Sequence, residues 1–108
     1  MIRVNILEKS DGKISGFEVT GHSGTAPRGE DIVCAGVSAL VQTSLLGIVE
    51  YLHREADYDM ASGKLKLKLK GEPDNLTEAI MHTMLLGLRE IENISPKAVR
   101  IEINQEVN

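Results

Sequence analysis

The sequence predicts an α+β two-layer sandwich in which two amphipathic helices cover one face of a four-stranded, mostly antiparallel sheet. Two patterns support this prediction. Four segments alternate polar and apolar residues with a period of two, and two longer segments repeat apolar residues at helical spacing. Their order is ββαβαβ, and 108 residues suffice for a single domain, residues 1–108, around one core. The strand order does not follow from the pattern.

The chain begins with two predicted strands joined by a tight turn. The segments Ile2 to Glu8 and Ile14 to Thr20 both alternate polar and apolar residues. Between them, Asp11 and Gly12 form a pair that is typical of hairpin turns, because such turns need positive φ. Gly16 interrupts the second strand, which indicates either a β-bulge or the close approach of a neighbouring side chain.

The first helix is predicted from Ile32 to about Arg54, with Asp31 as its N-cap. One apolar stripe runs along it, made of Cys34, Val37, Val41, Leu45, Ile48 and Leu52. A second stripe contains the small residues Gly36, Thr43 and Gly47. Small residues at this spacing indicate that another backbone packs closely there, either from the same chain or from a second copy.

A polar segment, Asp57 to Gly63, is predicted to be a turn that leads into the next strand. From Lys64 to Lys70, lysines alternate with leucines, so one face of this strand is expected to be buried and the other wet. The lysine row is interpreted as a solvated outer face in preference to an anion-binding strip.

The second helix is predicted from Asn75 to Asn93, with Asp74 as N-cap. His82 falls on its polar face, near Glu78 and Arg89, which argues against a catalytic role. After Pro96 the chain alternates again, and the last strand is predicted around Val99, Ile101 and Ile103.

Composition argues against several classes of function. The chain has 12 Lys and Arg against 16 Asp and Glu, a formal charge of −4, and only 3% aromatic residues. Direct binding to nucleic acid is therefore not expected, since it usually needs a basic face or a stacking platform. No apolar run looks long enough to span a membrane and no secretory signal is evident. A single cysteine cannot form an internal disulfide, so we expect a cytoplasmic protein.

The stretch from Gly21 to Ser38 contains the residues with chemical potential, His22 and Cys34. His22 follows the second strand and Cys34 lies in the predicted first turn of the next helix, so the two can face each other. The imidazole would take the thiol proton, and the positive end of the helix would favour the thiolate. Free amides of that first turn would stabilise an oxyanion. Acyl transfer, meaning peptide or ester hydrolysis, is the natural reaction class.

Other interpretations of these residues remain open. A lone cysteine on an apolar stripe is often a small buried residue, and His22 between glycines suits a simple turn. Asp31 either caps the helix, which would raise the thiol pKa, or orients the imidazole as a third catalytic member. Ser38 either hydrogen-bonds within the site or bonds to its own backbone. His22, Asp31 and Cys34 make a thin ligand set, so no metal is expected.

Two segments of the chain resemble a known family, the ribosomal-processing cysteine proteases called Prp. They are Thr-Gly-His-Ser-Gly at 20–24 and Gly-Glu-Asp-Ile-Val-Cys-Ala-Gly-Val-Ser at 29–38, and the length and element order extend the likeness over essentially the whole chain. The resemblance implies that Cys34 is the nucleophile and His22 the base, with no cofactor. It also implies a mobile substrate loop, to which we assign Gly21, Ser23, Gly24 and Gly29. Ser23 and Gly36 stand where alanine is common in the family.

The same resemblance implies a homodimer that removes the N-terminal extension of a large-subunit ribosomal protein after an aromatic residue. It assigns no role to Asp31 or Ser38, which we keep as residues that support the site. The competing hypothesis is a non-catalytic, ribosome-associated module. Its loop from Gly21 to Glu30 would grip the same peptide while Cys34 only packs.

Overall fold

The computed structural model describes residues 1–21, 28–61 and 63–106, and at 28–31 it describes the backbone only. The α+β class and two helices are confirmed, but the sheet has five strands instead of four. The elements in chain order are β1 (Ile2–Glu8), β2 (Ile14–Thr20), α1 (Arg28–Leu46), a π-helical turn (Gly47–Tyr51), β3 (Ala56–Ala61), β4 (Lys64–Leu69), α2 (Asn75–Ile94) and β5 (Val99–Gln105).

The sheet has the strand order β3-β4-β2-β1-β5. Three of its strand pairs are antiparallel, and only β1 and β5 run parallel, so the prediction of a mostly antiparallel sheet is confirmed. The connection from β4 to β5 contains α2, as a crossover to the far edge of a sheet requires. Strands β3 and β5 form the two edges.

Strand β3 was missed by the sequence analysis, which placed a polar turn from Asp57 to Gly63. Five of its six residues are exposed, so no alternation of buried and exposed positions marks it. It pairs along its whole length with β4, where Tyr58 lies opposite Leu67 and Met60 opposite Leu65. Tertiary pairing, and not local pattern, therefore makes this segment a strand.

The β1–β2 hairpin confirms the predicted turn and explains the glycine in β2. Gly12 has a φ of +88°, as the Asp-Gly pair predicted. The register shifts by one residue at Ser15, next to Gly16, so the predicted β-bulge is confirmed at this point of the strand. A Cβ on Gly16 would lie 2.5 Å from the carbonyl oxygen of Leu67, so a close approach also occurs, from a backbone instead of a side chain.

Helix α1 begins earlier than predicted and ends differently. It starts at Arg28, so Asp31 lies within its first turn and is not the N-cap, and Gly29 is helical instead of part of the loop. Glycine has a low helix propensity, which is why the sequence favoured a later start. The π turn that follows α1 closes with a hydrogen bond from Leu52 N to the Gly47 carbonyl at 2.9 Å. His53, with a φ of +55°, then ends the helical segment before the predicted Arg54.

The core lies between the two helices and the inner face of the sheet. The predicted stripe of α1 is buried over most of its length, at Val37, Val41, Leu45 and Ile48. The second stripe receives side chains of α2, because Gly36 and Gly47 lie where an added Cβ would meet Ile91 at 3.3 Å and Ile80 at 3.2 Å. Thr43, between them, is exposed. Packing within the chain therefore accounts for these two glycines.

Helix α2 begins as predicted at the Asp74 cap. The Asp74 carboxylate accepts hydrogen bonds from the backbone N–H groups of Leu76 and Thr77, and the Thr77 hydroxyl accepts one in return from Asp74 N. Arg54 donates to Asp74 Oδ2 at 2.7 Å, and this bond, with the cap itself, lowers the pKa of Asp74 below its usual value. His82 is exposed and lies 3.3 Å from a Glu78 oxygen, which confirms its position on the polar face.

The outer face of the sheet carries the lysine row. Its lysines are exposed, as a solvated face requires. Lys68 lies 2.8 Å from a Glu106 oxygen, and its ammonium group lowers the pKa of Glu106. Lys70 lies 3.8 Å from Asp57. Ion pairs within the chain thus engage two of these lysines, in agreement with the interpretation of a solvated surface.

One segment passes a simple test for membrane spanning. Ile32–Tyr51 has 20 residues and a mean hydropathy of 2.0, so by length and composition it is long and apolar enough to cross a membrane. The expectation that no stretch would qualify was wrong in this respect. In the fold, its apolar stripe packs between the sheet and α2, as in a core helix.

Candidate active site

The candidate catalytic residues fall partly outside the described chain. His22, Ser23 and Gly24 lie outside the described residues, as does the side chain of Asp31. The structure does describe Gly21, at the end of β2, and Cys34, on α1. These two positions bracket the segment that contains His22, Ser23, Gly24, Gly29 and Asp31, and Ser38 follows it on α1.

Cys34 lies in the second turn of α1, not in the first turn as predicted. It is a free thiol, half-buried, and packs against the edge of the core. The free amides of a helix are its first four, which here are those of residues 28–31. Cys34 comes six residues after Arg28, a rise of about 9 Å along the helix. The position of the helix start therefore does not support the predicted oxyanion site made from first-turn amides.

Gly21 holds a conformation that suits only glycine. Its φ is +83°, and an added Cβ would collide with the backbone carbonyl of Met1. Its N–H donates a hydrogen bond of 3.1 Å to the carbonyl of Gly63, in the β3–β4 turn. The chain therefore leaves β2 toward His22 in a direction set by contacts with two other parts of the fold. The sequence had suggested only that this glycine loosens a loop.

Ser38 lies one helical turn after Cys34 and is partly buried. Its hydroxyl makes no hydrogen bond with residues 1–21, 28–61 or 63–106. Within those residues, the interpretation in which it bonds to its own helix backbone is therefore not observed. By contrast, Ser44 on the same helix does donate to the carbonyl of residue Leu40, at 2.8 Å.

A cleft of about 410 Å³ borders both ends of the candidate site. It lies between α1 and the end of the β3–β4 hairpin, and Gly21 and Ser38 are both part of its wall. Its larger apolar lining residues are Val19, Val41, Met60 and Leu65. The residue before His22 and the residue one turn after Cys34 therefore open onto the same space.

The side chains in the described ranges form no cluster of three His, Cys, Asp or Glu that could hold a metal ion. His22 and the Asp31 carboxylate were outside that search. The expectation of a metal-free site therefore stays a prediction.

Comparison with known proteins decides the family. The family model described as "Cysteine protease Prp" matches residues 1–100. The chain belongs to the Prp family of cysteine proteases. The ribosomal processing cysteine protease Prp of Staphylococcus aureus strain Mu50 is 30% identical over 103 residues, which cover 94% of this chain and 97% of that protein.

Solved structures of the family agree with the fold. An essential ribosomal processing protease Prp from S. aureus, in complex with a substrate peptide, matches with a TM-score of 0.88 and 26% identity, covering 96% of this chain and all of that one. The same S. aureus protease in complex with a covalently linked product peptide matches with a TM-score of 0.85 and 27% identity over the same shares. The resemblance seen in the His22 and Cys34 segments is thereby confirmed at the level of the family.

Proposed function

We propose that this chain is a cysteine endopeptidase that removes the N-terminal extension of a large-subunit ribosomal protein and so supports ribosome assembly. The observation that carries the proposal is that a member of a cysteine protease family here contains a single cysteine. Cys34 is therefore the one residue available as thiol nucleophile. Its half-buried position, one turn from a cleft, suits a thiol that must meet a substrate.

In the proposed reaction His22 acts first as a base and then as an acid. It takes the thiol proton, and the sulfur attacks the carbonyl carbon of the scissile bond. The C–N bond breaks, the amine leaves with the proton from His22, and a thioester to Cys34 remains. Water, deprotonated by His22, then hydrolyses the thioester and restores the thiol. The covalently linked product peptide of the S. aureus relative is in keeping with such an intermediate.

Two further residues are proposed to support the site. Because Asp31 lies inside α1, three residues before Cys34, its predicted role as N-cap is excluded. Orientation of the His22 imidazole is the role proposed for Asp31. Ser38 is proposed to hydrogen-bond with the substrate at the wall of the cleft.

We also propose that the protease works as a cytoplasmic homodimer. Several large apolar side chains of the described chain are more than two-thirds exposed: Ile32 at 73%, Tyr51 at 81%, Leu86 at 70% and Ile94 at 80%. Contact with a second copy would remove apolar surface of these side chains from water. Light scattering coupled to gel filtration should give twice the 11.8 kDa mass of one chain, and a monomer at micromolar concentration would contradict the proposal.

The direct test of the activity is cleavage of the extended ribosomal precursor, followed by mass spectrometry. The wild type should release the extension, and Cys34→Ala and His22→Ala should each lower kcat at least about 10³-fold. His82→Ala, which removes an exposed histidine from the polar face of α2, is the matched control and should cleave normally. Retention of cleavage by Cys34→Ala would overturn the proposal.

The same experiment tests the competing hypothesis of a peptide-binding module. A wild-type chain that binds the precursor tightly but leaves it intact would favour the module. In that case Cys34→Ala should bind as the wild type does, since alanine and cysteine are both small.

A further inference from the structure

The outer face of the sheet carries a row of basic side chains that crosses the strands. Lys64 on β4 pairs with Thr20 on β2, and Thr20 pairs with Arg3 on β1. Arg3 in turn pairs with Arg100 on β5, at the edge of the sheet. The three charged residues are exposed, and the residue that follows each of them along its strand is buried, so all three side chains lie on the solvent side. We call these four residues the basic row.

The next row on the same face has the opposite charge. It lies two residues away along each strand, a distance of about 7 Å. It contains three carboxylates and one ammonium group, and its members are Asp59, Lys66, Glu18, Asn5 and Glu102. The sequence argument against nucleic-acid binding used the net charge of the whole chain, −4, and that average does not show this separation of charge.

The cations of the basic row receive little compensation from the chain itself. Among the residues that the structure describes, no ion pair engages Lys64 or Arg3. Arg100 Nε lies 3.5 Å from Glu102 Oε1, but both side chains are more than half exposed, so this pair is weak. Arg3 and Arg100 are also neighbours on adjacent strands, where like charges repel each other. An anion bound between them would remove this repulsion.

We propose that the basic row is a docking surface for the phosphate backbone of single-stranded RNA. From β4 to β5 the row spans three strand spacings, about 14 Å. Arginine can bind phosphate oxygens through two parallel N–H bonds, and lysine and threonine add single donors. Because RNA carries a negative charge at every nucleotide, one strand laid along the row meets all three cations without any sequence requirement.

The pattern of charge favours RNA over an acidic peptide. An extended peptide places alternate side chains about 7 Å apart on one face, so it would need acidic residues at several set positions to match the row. Glu18 and Glu102, in the next row, would repel a polyanion spread over the whole face. The bound strand should therefore cross the β-strands along the basic row. The row has no aromatic side chain on which a base would stack, so binding should be weak, dependent on salt and without base preference.

The basic row lies at the end of the sheet from which the chain leaves toward the candidate site. Thr20 is the last residue of β2 and comes two residues before His22. RNA docked on the row would hold an RNA-bound ribosomal protein beside the candidate site. This consequence rests on the proposed protease function, whereas the binding of RNA does not.

Fluorescence anisotropy with a fluorescein-labelled oligouridine tests the proposal. Three neutralised phosphates predict a slope of about −2 for log K against log salt, so a tenfold rise in KCl should weaken binding about 10²-fold. Arg3→Gln and Arg100→Gln should each flatten the slope by about 0.7. Arg3→Lys keeps the charge and should keep the slope.

Lys66→Gln is the matched control. Lys66 is also an exposed lysine of β4 on the outer face, but it lies between Asp59 and Glu18 in the acidic row. Its substitution should leave the slope unchanged and alter the affinity for oligouridine less than about twofold. Urea denaturation of each variant checks that a lost affinity is not a lost fold.

Several outcomes would overturn the proposal. Affinity for oligouridine that does not depend on salt, or equal losses in Arg3→Gln and Lys66→Gln, would do so. Tighter binding of a labelled oligoglutamate of the same charge would assign the row to an acidic protein instead. If Arg3→Gln splits a dimer without changing the affinity for oligouridine, a second copy covers the row and the inference is wrong.

Cleavage of the RNA-free ribosomal precursor separates this inference from the proposed function. Arg3→Gln should cleave that precursor as the wild type does, since Arg3 lies outside the candidate site. Oligouridine binding by a wild type that leaves the precursor intact would overturn the protease and keep the basic row. Cleavage without oligouridine binding would overturn the basic row and leave the protease standing.

Discussion

Gly21 is the position where a single methyl group should damage both stability and catalysis. It is the last described residue before His22, it has a φ of +83°, and its α-carbon faces the backbone carbonyl of Met1. We predict that Gly21→Ala destabilises the fold and slows peptide cleavage. Gly12→Ala is the matched control, since Gly12 has a φ of +88° in a hairpin turn but nothing within 4 Å of an added Cβ.

The two costs can be separated by comparing these variants. A left-handed conformation costs a non-glycine residue about 1–2 kcal/mol, and both variants incur it. At Gly21 the methyl group also meets a backbone atom that cannot rotate away, which adds the overpacking cost of about 1–3 kcal/mol. We therefore expect a loss of about 1–2 kcal/mol for Gly12→Ala and about 2–5 kcal/mol for Gly21→Ala. In a domain of this size each kcal/mol lowers Tm by about 4 °C.

Of the two variants, only Gly21→Ala should lower the rate of peptide cleavage. Relief of the collision must shift the end of β2, and with it the start of the segment that contains His22. A misplacement of about 1 Å in a catalytic group costs about 10²-fold in rate, so kcat should fall by that order. Gly12→Ala, at the opposite end of β2, should keep the wild-type kcat.

Urea denaturation gives the free energy of unfolding of both variants. Peptide cleavage is then measured at temperatures below their thermal midpoints, where both variants are folded. Equal losses of stability in the two variants would refute the collision with Met1. A destabilised Gly21→Ala with wild-type kcat would refute the argument that this glycine positions His22.

Three other predictions concern the fold around the site. Arg54 and the cap hold the pKa of Asp74 below its ordinary 3.8, so the charged carboxylate stabilises the fold above pH 3.8, and this contribution is lost as the pH falls through the lowered pKa. Asp74→Asn keeps a capping side chain, and in urea titrations at several pH values it should lose less stability at acid pH than the wild type does. Gly16→Ala would place a methyl group 2.5 Å from the backbone carbonyl oxygen of Leu67, which cannot rotate away, and should cost about 1–3 kcal/mol in the same assay. A neutral result would contradict the close approach of β2 and β4. Leu67→Ala removes a fully buried side chain and should cost about 2–5 kcal/mol with an unchanged cleavage specificity, which a peptide panel checks.

From the sequence, only those site residues could be predicted whose chemistry stands out within a short segment of the chain. Cys34 and His22 stand out because a thiol and an imidazole occur on either side of a glycine-containing connection, and the family match supports that choice. Met60 carries no such signal. It borders the cleft only because β3 pairs with β4, and Val19, which lines the same cleft from β2, comes from a distant part of the chain.

The start of α1 shows the limit of propensity arguments. The glycine-containing connection and Asp31 suggested a loop with a cap at Asp31, yet the helix begins at Arg28. The error moved Cys34 from the first turn to the second, and it removed the simplest source of oxyanion donors. A helix start depends on what the preceding turn packs against, which a local pattern does not contain.

The sequence by itself determined the elements that bury one face. Alternation marked β1, β2, β4 and β5, and helical spacing with the Asp74 cap marked α2, because burial forces an apolar residue at each inward position. Tertiary structure alone decided the edge strand β3, the conformation required of Gly21 and the cleft between α1 and the β3–β4 hairpin. These depend on contacts between residues far apart in the chain, and no local pattern of burial records them.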